Sequence, residues 1–327
     1  MSRRSLGVAI ALAGLVALLA AASLMAGKVW APFAAWTAGA DDPRWAIVFQ
    51  LRIPRTVLGV LVGAALGLSG AALQGYTRNP LADPGVLGVS AMAAFGAVMT
   101  LYLGLTAAAP WVMAAAGMAG AMAGVAALLA LAGTSGGMAT FVLAGVILNT
   151  VASAGVALAL NLAPNAWAAQ EIIDWLMGSL ADRSMTDVSI AAGPILAGCA
   201  MLLALGRALD ALTLGETGAR SLGVDLGRTR VLLAVGVGLA CGASVAVTGV
   251  VSFVGLVVPH LLRPWVGQRP AALLLPSALG GAALVLAADI LVRLTPSAAE
   301  VKLGVAMAAL GGPFFLMMLV SMRRRLA

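Results

Sequence analysis

"TVLGVLVGAALGLSGAALQGYT", residues 56–77, contains no charged side chain and is long enough to cross a membrane as a helix. A transmembrane helix needs roughly 20 apolar residues to span about 30 Å of hydrocarbon. Gly59, Gly63 and Gly67 recur at every fourth position, which gives such a helix one flat face that a neighbouring backbone can approach closely. The segment therefore predicts a transmembrane helix packed tightly inside the protein.

The whole chain has the same character. It is 62% hydrophobic and only 9% charged, with a mean hydropathy of +1.06, and a soluble core of 327 residues could not bury so much apolar surface. No Asp, Glu, Lys or Arg occurs between Asp83 and Glu171, a stretch of 87 residues (171 − 83 − 1) that has room for three spans. We predict an all-α, polytopic membrane protein of one domain, residues 1–327, with about ten transmembrane helices near 5–27, 56–76, 86–105, 110–132, 139–161, 188–206, 231–250, 252–264, 271–292 and 303–322. The segment 252–264 is short for a full crossing.

The distribution of Lys and Arg predicts the orientation. If both termini are cytoplasmic, twelve of the 19 basic residues fall inside and seven outside, which agrees with the excess of positive charge in cytoplasmic loops. The net charge of +7 is then mostly this bias, and nucleic acid is not predicted as a partner.

Two segments indicate an internal repeat. "GAALGLSG" (63–70) and "GASVAVTG" (242–249) share Gly, Ala, a hydroxyl residue and Gly at the same spacing, 179 residues apart (242 − 63). Five spans separate them, so they would run in opposite directions, as in an inverted repeat of spans 2–5 and 7–10. A chance match among small residues is the alternative.

Several functions lack their residues. Cys199 and Cys241 both fall in predicted spans, and with the single His260 they form neither a disulfide framework nor a metal-ligand cluster, so we predict no metal and no cofactor. There is no phosphate-binding loop, because the Gly-Lys of "AGKVW" (26–30) lacks the upstream glycine and the following Ser or Thr. The chain is thus predicted not to be an enzyme, and energy for transport would come from another subunit. An ion-coupled secondary carrier and a non-transporting scaffold are the alternatives.

One acidic residue lies near the end of an apolar span. Asp289 precedes Arg293 by one helical turn, so the two side chains share a helix face. Local pairing and a functional role both remain open.

A long polar segment separates the sixth and seventh spans. Residues 206–230 interleave apolar side chains with Asp210, Glu216, Arg220 and Asp225, and glycines divide the segment into short pieces. A connector needs only a few residues, so this length indicates docking to a soluble partner. A loop that lies on the lipid headgroups is the alternative.

Several long motifs occur in a characteristic order, and they make the chain resemble the FecCD-type permease family. These are the membrane subunits of type II ABC importers for ferric siderophores, haem and vitamin B12. The resemblance runs nearly end to end and is carried by "LRIPRTVLGVLVGAALGLSGAALQ" (51–74), "NPLADPGVLGVS" (79–90), "LAGVILN" (143–149), "WLMGSL" (175–180), "LGETGARSLGV" (214–224), "SFVGLVVPHLLR" (252–263), "ADILVRL" (288–294) and "AEVKLGVAMAALGGPFF" (299–315).

The resemblance implies an importer subunit in the bacterial inner membrane. It implies a homodimer, two ATP-binding-cassette ATPase subunits on the cytoplasmic side and a periplasmic binding protein outside. The cargo it implies is a metal chelate, in the first place a ferric siderophore, otherwise haem or cobalamin.

The resemblance also assigns residues, which we take as expectations. Asn79 and Leu81 would form a cytoplasmic gate, with a second gate at "GGMAT" (136–140). Coupling to the ATPase would use Leu214, Gly215, Glu216, Arg220 and Gly223. Docking of the binding protein would use Arg52, Arg55 and Arg293, and we expect the side chains of Arg52 and Arg55 at the water interface.

Overall fold

A computed structural model describes residues 3–27, 36–37, 39, 42–107, 109, 111–133, 137–296 and 300–326. Over these residues the chain is helical and contains no strand. The α-helices are α1 (Arg3–Met25), α2 (Pro43–Ala46), α3 (Ile53–Thr77), α4 (Val89–Tyr102), α5 (Trp111–Ala132), α6 (Met138–Asn161), α7 (Ala166–Leu176), α8 (Met185–Ala204), α9 (Gly206–Leu212), α10 (Gly215–Ser221), α11 (Leu226–Thr248), α12 (Val254–Val266), α13 (Pro270–Leu294) and α14 (Leu303–Leu326). A π-helical turn, Ile47–Arg52, joins α2 to α3, and a 3₁₀ turn, Pro84–Leu87, precedes α4. The predicted all-α membrane class is confirmed.

Ten of these helices coincide with the ten predicted spans. In the described part of the chain, seven helices are long and apolar enough to cross a membrane: α1, α3, α5, α6, α8, α11 and α13. Three shorter apolar helices, α4, α12 and α14, match the remaining spans. The helix ends agree with the predicted ends to within about five residues.

Two helices form the centre of the bundle. In α3 and in α11, 78% of the most apolar stretch is buried inside the protein, whereas in α1 the figure is 11%. Glycines of α3 and α11 lie at helix contacts, where small residues let other helices approach closely, whereas a methyl group at Gly7 or Gly14 of α1 would meet no other atom within 4 Å.

The pairing of helices follows the predicted repeat. Helix α3 packs closely on α13, and a methyl group at Gly63 would lie 2.4 Å from the carbonyl oxygen of Gly281. Helix α11 packs in the same way on α5, and a methyl group at Gly242 would lie 2.4 Å from the Cβ atom of Ala121. The second span thus pairs with the ninth and the seventh with the fourth, which is the exchange that a repeat of spans 2–5 and 7–10 requires.

The central helix α3 sets the distance between the two ends of the molecule. Its 25 residues give a length of about 37 Å at 1.5 Å per residue. Arg52 and Arg55 lie at its beginning, and Arg78 follows its end and reaches Gly215 in the segment 206–230. The predicted outer and cytoplasmic residues are therefore at opposite ends of the bundle.

Candidate transport site

The polar stretch after α3 turns the chain by local hydrogen bonds. Arg78 ends the helix in the left-handed conformation, with a φ of 50°. The Asn79 side-chain oxygen accepts a hydrogen bond from the Leu81 backbone N–H at 2.9 Å, and Asp83 does the same for Gly85 at 2.8 Å. Proline at 80 and 84 prevents a continuous α-helix here, because it lacks a backbone donor and restricts the residue before it.

The same stretch is also a wedge between helices. Pro84 and Leu87 are buried, and a methyl group at Gly255 of α12 would lie 2.7 Å from the Pro84 ring. Gly88 has a φ of +74°, and a side chain there would meet the backbone of α6 at 2.8 Å. Non-helical backbone between transmembrane helices is tolerated where other segments of the protein surround it. The stretch is therefore more than a surface turn.

A cavity of about 470 Å³ lies beside this wedge. Residues 83–86 line it, together with α6 and the residues before α12, whereas Asn79 and Leu81 are not part of its lining. Most of the lining is apolar, and its polar side chains are Asp83, Ser90, Asn149, Ser153 and Ser252. Burial raises the pKa of the Asp83 carboxyl above its ordinary value, and the hydrogen bond from Gly85 acts in the opposite direction.

The segment 206–230 folds into two short helices, α9 and α10, before α11 begins. Gly215 and Gly223 turn the chain with φ values of +88° and +81°, where glycine is favoured. Leu212 is buried, but Leu214 and Leu222 are 69% and 63% exposed. We call this exposed apolar pair, with the exposed Arg220, the coupling surface, after the role that the resemblance implies for this segment.

Two carboxylates of this segment hold the first turns of longer helices. Glu216 accepts a hydrogen bond from the backbone N–H of Met138, the first residue of α6, at 3.0 Å. Asp210 accepts one from Ala271 N at the start of α13, at 2.9 Å, and pairs with Arg269 at 2.8 Å. A carboxylate is favourable at a helix N-terminus, where backbone donors lack partners. The expected second gate, 136–140, therefore adjoins Glu216, although Gly136 lies outside the described residues.

Two buried polar side chains join neighbouring helices and were not singled out from the sequence. Arg230 is 2% exposed and donates to the Tyr76 hydroxyl at 3.1 Å and to Gly133 O at 2.8 Å, so it joins the ends of α3 and α5. Gln74 donates to Gly255 O at 3.1 Å and accepts from Arg263 at 2.7 Å, so it joins α3 to α12. A glutamine inside a charge-free span was the signal for the second of these contacts.

The outer arginines differ from expectation. Arg52 donates to Leu24 O at 3.0 Å and Met25 O at 2.9 Å, and Arg293 donates to Ser23 O at 2.9 Å. Both side chains are only 6% exposed, so our expectation that Arg52 lies at the water interface is wrong. The last carbonyls of α1 lack helical partners and form the negative end of its dipole, which explains why two guanidinium groups are drawn inward.

The third outer arginine belongs to an ion-pair network. Asp289, 1% exposed, pairs with Arg293 at 2.7 Å and with Arg55 at 2.8 Å. Arg55 also pairs with Glu300, which precedes α14. The local pairing of Asp289 with Arg293 is thus confirmed, and Arg55 extends it from α13 to α3.

Replacement of Arg52 with methionine tests the capping of α1. We expect the free energy of unfolding to fall by about 1–3 kcal/mol, because buried carbonyl oxygens lose a charged donor. Thermal unfolding of the purified protein measures this effect. Arg44→Met is the control, since Arg44 is 53% exposed and, among the residues that the structure describes, pairs with Asp42, so that its loss should change the stability much less. Equal stability of the two variants would contradict the capping role.

The bundle, its apolar cavity and the two short helices at one end define a polytopic membrane transport protein of the permease class. Residues 14–321 match the FecCD transport family, and the chain belongs to this family. The resemblance stated from the motifs is confirmed.

The chain is similar to two transport permeases over most of their length. The chain is 36% identical over 297 residues to the hemin transport system permease HmuU of Yersinia pestis, covering 89% of this chain and 88% of the relative. It is 37% identical over 325 residues to the vitamin B12 import system permease BtuC of Salmonella paratyphi A, covering 98% and 97%. A solved inward-facing structure of a metal-chelate type ABC transporter superposes with a TM-score of 0.85 at 29% identity, covering 97% of this chain and 99% of the other.

Proposed function

We propose that this permease imports a metal chelate, delivered by a periplasmic binding protein and moved by alternating access that separate ATPase subunits drive. The observation that carries the proposal is family membership over residues 14–321, joined with relatives named for hemin and vitamin B12. Both of those cargoes are bulky metal chelates, and a ferric siderophore belongs to the same chemical class.

The character of the cavity supports a chelate as cargo. A pathway for a small ion would need ionisable groups or rings of carbonyl oxygens. Here the polar lining is one carboxylate, one amide and three hydroxyl groups in a mostly apolar wall. Such a wall binds a large molecule weakly, which suits a pathway that must also release its cargo.

Helix α6 supports a homodimer. Its outward face carries the exposed apolar residues Leu143, Ile147 and Val151, and beside them the exposed polar residues Asn149 and Ser153. Polar side chains are costly when they face lipid, so water or protein is the better neighbour for this face. A second copy of the chain would cover it and enclose the pathway between the two subunits.

The two ends of the molecule support the proposed partners and orientation. The coupling surface offers exposed leucines to an ATPase, and the end that contains it also contains Arg78 and Arg269. This end would be cytoplasmic, with both termini on that side of the bacterial inner membrane. At the other end, the binding protein would dock through Arg52, Arg55 and Arg293; Arg55, which pairs with the partly exposed Glu300, is the nearest of the three to the surface.

Reconstitution into proteoliposomes tests this proposal. The permease, its ATPase and the binding protein encoded beside it are combined, and uptake of a ferric siderophore, hemin and cobalamin is measured with and without ATP. We expect uptake of one chelate that requires ATP and is blocked by vanadate. Uptake by the permease without nucleotide would favour a secondary carrier. The absence of any ligand-dependent, vanadate-trapped state would favour a scaffold.

A further inference from the structure

The guanidinium group of Arg55 is occupied on two sides in the isolated subunit. Its Nε and Nη2 atoms donate to Asp289 at 3.0 Å and 2.8 Å. Its Nη1 atom donates to Glu300 at 3.3 Å, and Nη2 donates to the other Glu300 oxygen. A guanidinium group offers five donors in a fixed fork, so two carboxylates leave no edge for a third one to bind bidentately.

The two carboxylates differ in how firmly they are held. Asp289 is 1% exposed and is shared with Arg293, so its removal would take a carboxylate away from two largely buried cations at once. Glu300 has a side chain 31% exposed, and among the residues that the structure describes it forms its ion pair and hydrogen bonds with Arg55. Glu300 is therefore the carboxylate that can leave.

A cavity of about 510 Å³ lies beside this pair at the outer end of the molecule. Arg55 and Glu300 both line it, together with Lys302, Arg293 and Asp182. An acidic side chain of a docking protein can enter this space and meet the Arg55–Glu300 pair. Arg55 itself is 11% exposed, and Glu300 lies against one edge of its guanidinium group.

We propose that Glu300 is an internal competitor for the docking protein, so that an acidic side chain of the binding protein must displace the Glu300 carboxylate from Arg55. This inference rests on the proposed function, since it presupposes docking at the outer end. The exchange replaces one carboxylate by another on the same fork, so it conserves the ion pair and makes docking reversible. A competitor of this kind slows association, because some encounter complexes dissociate before the Glu300 carboxylate has left Arg55.

The test compares association rates of the binding protein with the complete permease–ATPase complex in nanodiscs at low salt. We expect Glu300→Gln to raise the association rate about three- to tenfold, since a neutral amide competes less well for the guanidinium group. The increase should shrink at high salt. Glu171→Gln is the control, because it removes the same charge from an exposed position of α7, one helical turn from Asp174, which lines the 510 Å³ cavity. It should change the association rate less than about twofold.

Double mutants separate this inference from the proposed docking. In an Arg55→Gln background, which should itself slow association, Glu300→Gln should have no further effect. A slower rate for Arg55→Gln with an unchanged or slower rate for Glu300→Gln would overturn the competitor and leave docking intact. An unchanged rate for Arg55→Gln would overturn both. If Glu300→Gln does not fold, Glu300→Asp takes its place: its shorter carboxylate should give a smaller increase, and no increase would overturn the inference.

Discussion

Replacement of Glu216 with arginine is expected to reduce transport about tenfold or more while ATP hydrolysis continues or the ATPase dissociates. The carboxylate holds the first backbone N–H of α6, and hydrogen bonds to charged groups contribute about 1.5–3 kcal/mol. An arginine there removes the acceptor and places a cation at the positive end of the α6 dipole. Since α6 contributes Asn149 and Ser153 to the cavity wall, we expect a displacement of its first turn to move that wall.

Transport and ATPase activity of the reconstituted complex, with co-purification of the ATPase, measure this effect. Glu216→Gln is the matched control, because the amide oxygen can still accept the hydrogen bond from Met138, and transport should remain near normal. Arg220→Glu reverses a charge at the exposed coupling surface, so it should weaken ATPase attachment. It should leave the hydrogen bond between Glu216 and α6 in place. Full transport and full co-purification in both Glu216→Arg and Arg220→Glu would refute the coupling assignment.

The fold could be predicted largely because lipid restricts the choices. Apolar runs of about 20 residues must be helices in a bilayer, and the small-residue faces at Gly63 and Gly242 indicate which helices pack at the centre. The structure also shows where individual helices end, which hydropathy does not determine. The length of α12 is set by the left-handed Phe253 before it and Gly267 after it, which leaves 13 residues where a full span needs more.

The candidate site could be predicted less completely, because it depends on contacts between residues that are far apart in the sequence. Counting Lys and Arg for the orientation treats each as an interfacial charge. That treatment holds for Arg78 but not for Arg52, because the end of α1, far away in the sequence, supplies carbonyl oxygens that attract its guanidinium group. Glu216 was assigned from the motif, yet its bond to α6 depends on a contact over 78 positions that no local pattern contains.

A cysteine at Leu81 is expected to cross-link the two subunits when the cytoplasmic side is closed and to remain unlinked when it is open. The position of Leu81 is well defined, because its backbone N–H is held by Asn79 and the turn is anchored by the buried Pro84. Leu81 is only partly buried and Asn79 is exposed, although both lie in the short connection between the apolar helices α3 and α4, so these side chains are accessible from outside the subunit. In a homodimer with the pathway at its axis, that direction leads to the other copy.

The measurement uses a variant in which Cys199 and Cys241 are replaced, with oxidation in the absence of nucleotide, with bound ATP and after vanadate trapping. A disulfide needs Cα atoms about 4.4–6.8 Å apart, so its formation in one state alone reports a change in distance across the axis. Ala82→Cys is the local control, since Ala82 is 8% exposed and lies inside the subunit, and it should not cross-link in any state. A Leu81→Cys variant that transports its cargo and never cross-links would show that residues 78–88 only turn the chain between α3 and α4. State-dependent linking would instead place the wedge, and with it the cavity beside Asp83, at the point where the two subunits close the pathway.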